Sequence, residues 1–101
     1  MEKAINEIFK QRLDFLSADA AMQLARRFAD QFGSICVRSS LEYVPQEELN
    51  EAHKFLFQEI QQLVRRDPRL DLRYPDEAIN NVVLMMVDDL MRLVRPRSDI
   101  Y

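Results

Sequence analysis

Apolar residues recur along the chain at spacings of three and four, and four stretches carry that pattern long enough to specify amphipathic helices. From Glu2 to Leu16, the residues Ile5, Phe9, Leu13 and Leu16 form one stripe, and Ala4, Ile8 and Phe15 widen it. A stripe this broad needs neighbours on two sides. Ser17 is placed to cap a second helix with Asp19 in its first turn, and Gly33 to stop it in a left-handed conformation. Ala21, Leu24, Ala25, Phe28 and Phe32 mark the buried face between them, where the alanines allow a close helix approach.

A third helix is predicted from Pro45, whose fixed φ suits the first helical position, to Arg66, where Asp67-Pro68 disfavours continuation. Glu47 and Glu48 sit at its positive end, and Arg65 and Arg66 at its negative end. The fourth repeats that design: Pro75 opens it, Asp76 and Glu77 follow, and Arg92 and Arg95 precede Pro96. The core stripes are Leu49, Ala52, Leu56, Ile60 and Leu63 on the third helix, and Ile79, Val82, Val83, Met86, Leu90 and Leu93 on the fourth. The pattern therefore predicts one all-α domain over residues 1–96. Its architecture is an antiparallel bundle of four main helices with short extended connectors, followed by a flexible tail at 97–101.

Two connectors do not read as helix. Residues 69–74, Arg-Leu-Asp-Leu-Arg-Tyr, alternate apolar and charged side chains with a period of two, and 34–44 hold two short apolar pieces. Either both are extended lead-ins that lie on the bundle, or they pair as a two-stranded ribbon, since an isolated strand leaves its backbone groups unpaired.

Composition narrows the chemistry. The chain has 101 residues and a formal net charge of −3, enough for one hydrophobic core. Its single glycine excludes glycine-rich phosphate loops. One cysteine, Cys36, cannot form an intramolecular disulfide, and with one histidine, His53, no Cys/His cluster of metal-ligand spacing exists. Neither cofactor nor metal is expected, and the setting is cytoplasmic. The longest apolar run, Val82 to Val87, is too short for a membrane span, so no membrane partner is expected.

Several residues invite a functional reading. His53 is the side chain that titrates nearest neutrality, yet on a helical wheel it falls among Leu49, Ala52, Leu56 and Ile60, with no carboxylate three or four residues away to orient it. Catalysis through His53 and a neighbouring Glu requires an accessible, concave setting. Glu47, Glu48, Glu51 and Glu59 lack the Glu-x-x-His spacing of a di-iron bundle, because Asn50 stands three before His53. Eleven of the fourteen basic residues are arginine, and those at 65–73 and 92–97 suggest a nucleic-acid-binding regulator as the alternative function. Residues 65–101, however, hold seven basic and seven acidic side chains. A helix-turn-helix pivoting on Gly33 would put Ser34, Ser39 and Glu42 in the core, which argues against it and favours Gly33 as a plain helix C-cap. Asp89 projects beside the fourth buried stripe and calls for an arginine from another helix.

The informative feature is apolar surplus. Leu84, Val87 and Met91 form a second stripe on the fourth helix, so that its apolar arc spans about 200 degrees, about twice the minimum a surface helix needs. On the third helix Phe55 stands off the main stripe, ringed by Glu48, Glu51, Glu59 and Gln62. These patterns point to a non-enzymatic, protein-binding regulator, adaptor or inhibitor. Leu84, Val87 and Met91 would form a homodimer seam. Phe55 with Glu48, Glu51 and Glu59 would receive a larger, basic protein, since residues 34–64 carry five acidic and two basic side chains. Cover by 34–44 and 69–74 would leave neither surface open.

Overall fold

Ser17 stands at the first reversal of the chain, where its Oγ accepts a hydrogen bond from the backbone N–H of Ala20 at 3.1 Å. That bond satisfies one of the donors a helix start leaves open, as the sequence predicts. The computed structural model describes residues 2–36 and 46–94, with the side chains of 3–32 and 46–92. They form α1 (Glu2–Arg12), α2 (Ala18–Cys36), α3 (Gln46–Arg66), the short α4 (Pro68–Arg73) and α5 (Asp76–Val94). The fold is all-α, with four long helices in the predicted order.

Three boundaries differ from expectation. First, α1 ends at Arg12, not Leu16, because the last predicted turn is used to reverse the chain: Leu16 N–H donates to the Leu13 carbonyl at 3.0 Å. Leu13 still enters the core, and Phe15 stacks on Tyr74 with ring centroids 4.4 Å apart. Second, α2 runs through Gly33 to Cys36, and no glycine among the described residues has positive φ. The helix bends instead at Phe32 (φ −122°, ψ 15°), whose ring packs against Phe28 at 5.2 Å and Phe55 at 5.5 Å.

Third, residues 68–73 are helical rather than extended. Asp67, itself in an extended conformation, caps α4 by accepting from Arg69 N–H at 3.0 Å, Pro68 opens the helix, and Tyr74 N–H closes it on the Leu70 carbonyl at 2.9 Å. A strand would place Leu70 and Leu72 on one face, whereas a helix sets them nearly opposite. Leu70 packs against the core and Leu72 is 89% exposed. The ribbon is thereby excluded for this segment, and Ser34 to Cys36 belong to α2; residues 37–45 and the proposed tail at 97–101 lie outside the described residues.

Cross-helix contacts fix the arrangement. Phe9 of α1 meets Phe28 of α2 at 5.6 Å beyond the Ser17 turn. Arg27 and Phe32 of α2 reach Glu59 and Phe55 of α3, so later residues of one face earlier residues of the other. Gln61, late in α3, bonds Asp76 at the start of α5. Neighbouring helices therefore run antiparallel. The core takes Ile5, Phe9 and Leu13 from α1, and Leu24, Phe28 and two alanines from α2. Ala52, Leu56, Ile60 and Val64 come from α3, and Ile79, Val83, Met86 and Leu90 from α5. Ala21 and Ala25 are both buried, small side chains of the kind that let α2 approach its neighbours closely. On α3, Val64 rather than the predicted Leu63 completes the buried stripe.

Candidate protein-binding surface

Three large apolar side chains are exposed among the described residues: Leu72, Leu84 at 51% and Met85 at 43%. Leu84 and Met85 lie in the middle of α5, on the side turned away from the buried stripe. Val87 and Met91, assigned with Leu84 to one seam, are partly buried and pack against the core. The surplus is thus narrower than the sequence suggests, since the packing of α5 on both α1 and α3 takes up part of the second stripe. It is not covered by α4, which packs on α3.

The α1 side of this face is set by Arg12 and Asp89. The Arg12 guanidinium donates from Nε to Asp89 Oδ2 at 2.7 Å and from Nη2 to Oδ1 at 3.2 Å. These bonds supply the interhelix arginine that the half-buried Asp89 requires, and they raise the Arg12 pKa above its ordinary value. Arg12 Nη1 also lies 3.5 Å from the Met85 sulfur, which holds that side chain beside the ion pair. Farther along, Arg92 Nη2 binds Asp88 at 2.9 Å within the same helix.

Phe55 occupies a different setting from the one its neighbours in sequence imply. It is half-buried, its ring lies 6.3 Å from Phe28 and 5.5 Å from Phe32, and the Arg27 guanidinium sits over it at 5.8 Å. Arg27 also binds Glu59, so the acidic ring is interrupted by a cation from α2. Glu48 is half-buried and Glu51 exposed. Phe55 is therefore brought into an aromatic cluster with Phe28 and Phe32 of α2. Only the register of α2 against α3 places Arg27 there, and no local pattern in either helix encodes it.

The basic cluster at 65–73 is divided by the fold. Arg65 turns into the corner between α3, α4 and α5, where it donates to Asp76 Oδ1, to Asp71 Oδ1 at 2.9 Å and to the Tyr74 carbonyl at 2.8 Å. Asp76 raises the Arg65 pKa, while hydrogen bonds from Gln61 and then Arg65 hold the Asp76 carboxyl below the usual carboxylate range. Arg66, Arg69 and Arg73 are exposed. A shallow polar groove between α2 and α3 is lined by Gln23, Arg27, Glu59, Gln62 and Arg66. His53 is half-buried on α3 and lies outside it.

Among the described residues, no three His, Cys, Asp or Glu side chains gather as a metal site, and no helix is long and apolar enough to cross a membrane. No family model, curated protein or solved structure matches the chain significantly.

Proposed function

We propose that this chain is a small, non-enzymatic, cytoplasmic binding protein, a regulator, adaptor or inhibitor, that docks another protein through the outward face of α5. One observation carries this reading: Leu84 and Met85 stand adjacent and exposed at the middle of a nineteen-residue helix. Polar and charged residues flank them on both sides along the helix. An apolar centre within a polar rim is the layout of residues that dominate binding. Methionine, unbranched and polarisable, adapts to a facing surface. A second copy of this chain is the occupant argued below.

Sedimentation equilibrium over a wide concentration range tests it. The wild-type mass should rise towards two chains, and Leu84→Asp should return it to one while circular dichroism stays helical. Since Leu84 is half-exposed, that substitution leaves the core intact. A wild-type chain that remains single at all concentrations would defeat the reading.

A second reading rests on Arg65. By binding Asp71 and Asp76 it leaves Arg66, Arg69 and Arg73 exposed without a carboxylate partner among the described residues, which favours a polyanion such as nucleic acid. It requires affinity for duplex or single-stranded oligonucleotides that falls steeply with salt and is lost in Arg66→Glu, Arg69→Glu. Binding unchanged by that pair of substitutions would eliminate it.

A further inference from the structure

Among the described side chains of α5, those exposed beyond its first residue are Glu77, Asn81, Leu84, Met85, Asp88 and Arg92. They are distributed evenly about the midpoint between Leu84 and Met85: Asn81 and Asp88 lie equally far from it, and so do Glu77 and Arg92. Resting on the docking reading above, we infer that α5 pairs antiparallel with α5 of a second copy, about a two-fold axis at that midpoint.

The chemistry matches level by level. At the axis, Leu84 and Met85 of both copies form one apolar layer. At the next level the Asn81 carboxamide donates to the partner subunit's Asp88. At the outer level Glu77 lies level with the partner subunit's Arg92, within reach of two long side chains. Each of these pairings occurs twice, as an isologous interface demands. Within one chain Arg92 already binds Asp88 at 2.9 Å. In the pair its guanidinium lies between Asp88 and the partner subunit's Glu77, so the existing ion pair is extended rather than broken.

Charge also decides the direction. A parallel pairing keeps the apolar layer but sets Glu77, Asp88 and Arg92 each beside its own copy, and like charges across a helix seam are unfavourable. Antiparallel pairing sets unlike groups together and also aligns the positive N-terminus of each helix with the negative C-terminus of the other. Because the apolar layer is short and the charged pairs lie at its rim, the dimer dissociates on dilution and weakens with added salt.

The test uses a nitroxide label placed singly at position 77, 81, 88 or 92 by cysteine substitution in a Cys36→Ser background, read by pulsed dipolar EPR. Along the helix axis, labels at 81 and 88 should show equal separations of about 10 Å, and labels at 77 and 92 equal separations of about 22 Å, from the 1.5 Å rise per residue. The same short distance at all four positions indicates parallel pairing and overturns the inference. Unequal values at 77 and 92 move the axis and overturn it as well. Absence of dipolar coupling at concentrations where the unlabelled chain sediments as two copies defeats this register and leaves the docking reading standing. An unlabelled chain that never exceeds one copy removes both.

Discussion

Arg12 and Asp89, 77 residues apart in sequence, join α1 to α5 through two hydrogen bonds of 2.7 and 3.2 Å. The bidentate fork fixes how α1 lies on α5, because a guanidinium and a carboxylate share a plane only in a narrow range of orientations. Asp89 is half-buried beside the core, so removing its partner leaves a poorly solvated carboxylate. Arg12→Leu and Asp89→Asn should each lower the thermal midpoint, and the double variant should lose less than the sum of the two. Full additivity in that double-mutant cycle would show that the pair contributes nothing to stability.

The aromatic cluster yields a graded expectation. Phe9 and Phe28 are fully buried and in contact, so Phe9→Ala or Phe28→Ala should cost about 3–5 kcal/mol in urea unfolding. Phe55 is half-buried against Phe28 and Phe32, and Phe55→Ala should cost less than either but well above the roughly 0.5 kcal/mol typical of a free surface side chain. A Phe55→Ala variant of unchanged stability would return that ring to solvent and to a docking role.

What could be read from the sequence follows from which forces are local. The three-and-four spacing of Ile5, Phe9 and Leu13, and of Ala52, Leu56 and Ile60, is written by one helix facing one core, and all six are buried. The cap at Ser17 is equally local, since its bond spans three residues. Alternation at 69–74 misleads because the helix turns Leu70 to the core and leaves Leu72 in solvent, so the two leucines do not share a buried face. Asp67 as cap, Pro68 at the first position and Leu70 against the core choose helix. Gly33 permits a left-handed turn without requiring one, and the Phe28–Phe32–Phe55 contacts favour continuation. In the same way the exposure of Leu84 and Met85, against the partial burial of Val87 and Met91, depends on how far α1 and α3 wrap α5. The partition of the arginines by Arg65 depends on a corner built from three helices.

That corner also makes stability depend on pH. Gln61 and Arg65 hold the Asp76 carboxyl below its ordinary value, so the folded state binds that proton more weakly than the unfolded chain. The resulting stabilisation is present in full above the ordinary carboxylate range and is lost as pH falls through the lowered folded value. Thermal midpoints measured from neutral to strongly acidic pH should therefore fall more steeply for the wild type than for Asp76→Asn. Superimposable pH profiles would mean that Asp76 has no part in the acid response.

Photo-crosslinking from the outward ridge of α5 tests most directly whether that ridge meets another copy. With p-benzoylphenylalanine at position 81, adjacent to Leu84 on the ridge, and a mixture of isotopically light and heavy chains, irradiation should give a product of doubled mass. Its crosslinked peptide should join light and heavy chains and map within residues 76–94 of both. A product mapping to α1, α2 or α3, or the absence of a doubled-mass product at concentrations where the EPR labels are read, would contradict a role for α5 as the docking helix.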